Sequence, residues 1–173
     1  LFCVVTTRDD QTGRFYRLPT SKDHDAIAAA TAELARRSQA HDGPLSLAPE
    51  EEFTGLEPRR IPVTQYGILA FRDLFAPRQM LTLTTLARFI SEASERFSAS
   101  VGDLLAAVHT CVAMTLSRGS DLNNSLCVWK LDAECPVHLF GRQAIPMVWE
   151  FAEAAPLGQA SGSWKGMVDR SAD

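Results

Sequence analysis

The dipeptide Arg-Gln occurs twice in matching surroundings, as Leu74-Phe75-Ala76-Pro77-Arg78-Gln79 and as Leu139-Phe140-Gly141-Arg142-Gln143. Each pair is expected just ahead of, or within, the first turn of a helix. Arginine offers a rigid planar fork to phosphate or guanine, and glutamine can pair bidentately with adenine N6 and N7. The same residues can equally tie helix ends to neighbouring loops, and the pattern by itself leaves both readings open.

The remaining reactive side chains are dispersed. Cys3, Cys111, Cys127 and Cys135 have neither C-x-x-C spacing nor the density of a secreted disulfide scaffold, so they read as reduced thiols. Cys111 falls on an apolar helical stripe and is expected to be a small core residue. His24, His41, His109 and His138 are scattered without metal-ligand spacing, and no metal site is predicted. Glu150 and Glu153 stand at i and i+3 of an expected helix, where a solvated face explains them without an acid/base pair. No G-x-G-x-x-G, Walker A, H-E-x-x-H or G-x-S-x-G pattern occurs, so phosphate cradle, metalloprotease and nucleophile elbow have no support. No catalytic residue is assigned.

Seventeen Lys and Arg against twenty-one Asp and Glu give a net charge of -4, so any contact with a phosphate backbone has to be local. The 173 residues fit one domain, which at this size buries roughly 70% of the surface of its unfolded chain. The apolar opening Leu1-Phe2-Cys3-Val4-Val5 is too short for a membrane span or a signal peptide, and the expected location is cytoplasmic. The chain starts in mid-strand without Met, and it is expected to be a unit cut from a longer protein.

The elements that would position the Arg-Gln pairs follow from pattern. Leu1 to Thr7 and Phe15 to Leu18 read as strands around turn residues Asp9 to Gly13, a β-hairpin. Thr20 or Ser21 caps an Ala-rich helix running to about Arg37, so residues 1–38 form a hairpin plus helix. Residues 39–60, broken by Gly43, Pro44, Pro49, Gly55 and Pro58 and carrying Glu50-Glu51-Glu52, read as an exposed connector; the acidic triplet could alternatively dock a basic partner. Residues 61–157 read as a helical domain. Pro77 opens one helix, another starts after Ser98 or Ser100 and ends at Gly119, and the short break between them predicts an antiparallel helix pair. A further helix is expected over about Ala144 to Ala154, with Trp129 and Trp149 as core anchors. Residues 158–173 read as a flexible tail. The predicted fold class is α+β, mainly α.

The string from Gln65 to Leu83, Gln-Tyr-Gly-Ile-Leu-Ala-Phe-Arg-Asp-Leu-Phe-Ala-Pro-Arg-Gln-Met-Leu-Thr-Leu, resembles the large adenine-specific DNA methylases that contain a zinc-ribbon segment. The resemblance continues through Phe140-Gly141-Arg142-Gln143-Ala144-Ile145-Pro146-Met147-Val148-Trp149-Glu150-Phe151-Ala152-Glu153-Ala154 and the earlier Tyr16-Arg17-Leu18-Pro19-Thr20. It implies an internal, non-catalytic segment of an S-adenosylmethionine-dependent DNA adenine methyltransferase. The S-adenosylmethionine motif and zinc ribbon are expected upstream, and an Asp-Pro-Pro-Tyr type motif downstream.

On that resemblance the segment helps position DNA or the target base. The DNA-binding candidates are then Arg78, Gln79, Arg142 and Gln143, with Arg59, Arg60 and Arg72 adding local positive charge. Within these residues no cofactor is expected; the resemblance implies S-adenosylmethionine, and allows zinc, in the full-length protein, with DNA as its partner. The alternative is a helical scaffold or protein-interaction module in a DNA-processing or phage-defence assembly.

Overall fold

The computed structural model describes residues 1–8, 10–53, 61–137, 139–141 and 144–172, without the side chains of 98–101 and 172. The fold is α+β and mainly helical, with an N-terminal antiparallel hairpin ahead of the helices. Strand β1 (Val4–Arg8) pairs with β2 (Gln11–Arg17) in the register Val4 to Arg17, Val5 to Tyr16 and Thr6 to Phe15. Gln11, Thr12 and Gly13, expected in the turn, belong to β2. Tyr16 reaches from this hairpin to Trp129, ring edge to face at 6.4 Å.

Helix α1 (Ser21–Ala40) starts where local chemistry says it should. The Asp23 carboxylate accepts the Thr20 backbone N–H at 2.7 Å and the Thr20 hydroxyl at 2.6 Å, fixing the first turn. Arg17 holds the same carboxylate through both guanidinium nitrogens, at 2.7 and 2.9 Å. The Arg17 and Thr20 hydrogen bonds keep the Asp23 carboxyl well below the usual carboxylate range. None of the α1 residues is fully buried. It is tied to the next helix by Arg37, which donates to the Thr85 hydroxyl at 2.7 Å.

Helix α2 (Pro77–Leu122) is two helical stretches meeting at Gly102, whose φ of 53° and ψ of -132° no other residue adopts without strain. The break expected after Ser98 or Ser100 therefore falls at Gly102. The helix does not stop at Gly119; that residue lies inside it, where a Cβ would stand 3.1 Å from the Met167 side chain. Its absent side chain admits α3 (Trp164–Ala172), whose Met167 is buried. A helix thus replaces most of the flexible tail expected over 158–173. The Ser163 hydroxyl accepts the Gly166 N–H at 3.3 Å and caps it.

The core sits at the ends of α2 rather than along it. Phe53, Val63, Leu74, Leu126, Leu139 and Ile145 form the buried cluster, with Ile61, Ile68, Phe75, Met147 and Val148 packed around it. Burying each such side chain is worth about 1.5–3 kcal/mol. Phe53 comes from the stretch expected as an exposed connector; its N–H donates to Leu69 O at 2.8 Å, and Glu52 bridges Ala70. Residues 54–60 of that connector lie outside the described residues.

The helix expected over Ala144 to Ala154 is absent; the segment is irregular, with bends at Ala144 and at Trp149 and Glu150. Within it Ala152 N–H donates across the chain to Cys127 O at 2.8 Å, Ile145 is buried in the core, and Met147 and Val148 pack against it. Strands β3 (Val128–Lys130) and β4 (Cys135–Val137) form a second small antiparallel sheet.

Candidate functional site

The first Arg-Gln pair stands where the pattern put it, in the opening turn of α2, and both side chains are engaged inside the protein. Gln79 is buried, with 1% exposure, and its Oε1 accepts the Ala76 N–H at 2.8 Å, closing the helix N-terminus. Its Nε2 has no hydrogen-bond partner among the described residues. Arg78 donates from Nε to both Glu153 oxygens, at 2.9 and 2.7 Å, and from Nη2 to Oε2. The guanidinium also lies 5.8 Å from the centre of the Phe151 ring. Glu153, expected on a solvated helix face beside Glu150, is instead a half-buried clamp on Arg78, whereas Glu150 is exposed.

The second pair, Arg142 and Gln143, lies outside the described residues, as do Arg59 and Arg60. Ahead of Arg142 and Gln143 the chain is tied to the end of α2. Phe140 N–H donates to the Asp121 carboxylate at 2.8 Å, and Leu139 N–H to Asp121 O at 3.2 Å, so the last turn of α2 holds this block. Asn124, 1% exposed, accepts the Leu126 N–H and gives its amide to Ser120 O and Asp121 O, closing the same turn.

The two blocks meet. Tyr66 and Trp149 stack edge to face with ring centres 5.1 Å apart, and Arg78 reaches Glu153 nearby in sequence to each. Trp149 is no core anchor: it is 77% exposed, and Tyr66 is 52% exposed. Trp129 is half-buried beside Tyr16. Spacing along the chain carried no signal for the Tyr66–Trp149 and Arg78–Glu153 pairs, since each joins residues from different blocks.

Arg72 is the most accessible of the described candidates. It is half-exposed, with Nη1 3.1 Å from Glu50 Oε1 and Nε 3.9 Å from Asp73 Oδ1. Asp73 accepts the Leu69 and Ala70 backbone N–H groups at 3.0 and 2.9 Å, which stiffens the stretch bearing Arg72. Beside it, a cleft of about 820 Å³ opens between the end of α1, the 41–50 loop and residues 66–80.

The thiols split by environment. Cys111 is exposed, against the expectation of a core residue, because the stripe it shares with Leu104 and Val108 faces outward. Cys127 is buried, and desolvation pushes its thiol up from the ordinary range. Among the described residues no three His, Cys, Asp or Glu side chains group as metal ligands, and no helix is long and apolar enough to cross a membrane. No family model, curated protein or solved structure matches the chain.

Proposed function

We propose that this chain is the non-catalytic, DNA- or base-positioning segment of an adenine-specific DNA methyltransferase. One observation supports the reading most: the two blocks that resemble the methylase family, 65–83 and 140–154, lean on each other through Tyr66–Trp149 and Arg78–Glu153. Methyl transfer to an adenine amino group depends on holding the base in line with the donor, and a rigid support serves that need. On this reading Arg78 and Gln79 stiffen the support. Direct contact with DNA falls to Arg72, Arg59, Arg60, Arg142 and Gln143, while S-adenosylmethionine and zinc are held elsewhere in the full-length protein.

The test is fluorescence anisotropy of a labelled duplex with the 173-residue chain at about 50 mM and about 200 mM salt. Binding that weakens with salt is expected, with no methyl transfer from added S-adenosylmethionine. Arg142→Ala is expected to lower the salt slope by about one. An unchanged slope removes Arg142 from the site, and failure to retain DNA even at the lower salt rejects the reading.

A second reading, a helical scaffold in a DNA-processing assembly, is favoured by the exposed Leu104, Val108 and Cys111 at i, i+4 and i+7 of α2. It predicts a stable oligomer or complex at moderate salt with no DNA retention, which light scattering after gel filtration would detect.

A further inference from the structure

Strand β1 has an open edge. Its sheet holds two strands, in the order β1-β2, and among the described residues no third strand pairs with either. A lone two-stranded hairpin is marginal in water unless a further strand or a packed helix supports it. Here the support is slight. Among the described residues no other element packs broadly on the hairpin, which is tied to the rest by Tyr16 against Trp129, at 6.4 Å, and by Arg17 on Asp23, at 2.7 Å.

The two strands differ in what their edges would tolerate. β2 carries Arg14 and Arg17, so pairing with its own copy would set arginine near arginine. In the β1 run Phe2-Cys3-Val4-Val5-Thr6-Thr7 there is no charge, no Gly and no Pro, which are the residues that commonly guard an edge. Arg8 follows, its guanidinium 4.1 Å from the centre of the Phe15 ring, and antiparallel self-pairing places the two Arg8 side chains at opposite ends of the contact. Val4, Thr6 and Phe15 share the half-buried face of the hairpin, whereas Val5 and its cross-strand neighbour Tyr16 are exposed, as is Phe2 at 90%. The chain exposes 11757 Å² at 19.0 kDa, against about 8,400 Å² for a compact monomer of that mass. That excess is well above the roughly 800 Å² each partner gives to an interface of standard size.

We propose that β1 pairs antiparallel with β1 of a second copy of this chain, joining two hairpins into one four-stranded sheet across a two-fold axis. A neutral, β-branched run suits such a contact because each residue meets the same run reversed, with no like charge opposite it. The contact is separate from the DNA candidates and from the exposed face of α2, and it rests on neither functional reading.

The test is light scattering after gel filtration, under reducing conditions at about 0.15 M salt, over a dilution series of the 173-residue chain. A dimer is expected. Val5→Lys and Val5→Glu each set like charges near one another across the axis. Each is expected to weaken self-association at least about tenfold while keeping the parent circular dichroism. Mixing the two variants is expected to restore the dimer, which a damaged fold would not do. Leu104→Ser with Val108→Ser, on the α2 face, is expected to leave the dimer intact. A monomer at every concentration, a dimer indifferent to both Val5 charges, no rescue on mixing, or a dimer lost with the α2 variant would each overturn the proposal.

Discussion

Arg78 and Glu153, 75 positions apart in the chain, form an ion pair in which one guanidinium Nε lies 2.7 and 2.9 Å from the two carboxylate oxygens. The contact fastens the 140–154 block to the first turn of α2. It also explains why an arginine suited to phosphate is employed inside the molecule: with side-chain exposures of 26% and 24%, each ion has given up much of its water, and each is the other's replacement.

Removing either partner should loosen that junction. Partial burial places the pair between exposed ion pairs, worth about 0.2–1 kcal/mol, and buried ones, whose breakage costs about 3–5 kcal/mol. Arg78→Ala and Glu153→Ala are each expected to lower stability by about 1–2 kcal/mol in urea unfolding, and the double variant by clearly less than their sum. Additive losses would show that the two side chains do not act together.

Acid should weaken α1 through Glu33. Hydrogen bonds from Arg36, at 2.8 Å, and from Arg37, at 2.7 Å, hold its carboxyl at about 2, below its ordinary 4.5. A carboxyl lowered in the folded state stabilises fully above its unfolded value and loses that contribution as pH falls through the folded one. The parent is thus expected to be more stable than Glu33→Gln at neutral pH, and the gap in thermal midpoint should close between about pH 4.5 and about pH 2. A gap unchanged at the acid end would assign the difference to something other than ionisation.

Gly102 should resist substitution for conformational reasons alone. An added Cβ would meet nothing within 4 Å, so crowding is not the obstacle; the backbone at φ 53° and ψ -132° is. Gly102→Ala is expected to cost about 1–3 kcal/mol. A variant that gained both stability and helicity by circular dichroism would show that the two stretches prefer to be one straight helix.

Thiol chemistry should follow burial. With a thiol-reactive chromophore, Cys3 and Cys111 are expected to react quickly, Cys135 more slowly, and Cys127 only on unfolding, since burial both shields it and disfavours its thiolate. Cys111→Ser should remove one fast equivalent and change stability by less than about 0.5 kcal/mol. Loss of a slow equivalent instead would place Cys111 inside the protein.

What the residues determined by themselves is what neighbours along the chain decide. Thr20 and Asp23 start α1, Pro77 starts α2, and paired β-branched and aromatic runs make the hairpin, because caps, φ restriction and i to i+4 hydrogen bonds reach only a turn or two. Those signals were enough to place the first Arg-Gln pair at a helix start. The tertiary structure decided where side chains and backbone groups found partners far away. Ala152 N–H bonds Cys127 O in a segment, 144–154, that stays irregular; Glu153 meets Arg78; Met167 fits against Gly119 and draws a helix from a Gly- and Ser-rich tail; and Cys111 and Trp149 face outward. Burial is a property of the partner as much as of the residue, and an apolar period along one segment does not say whether another segment arrives to cover it.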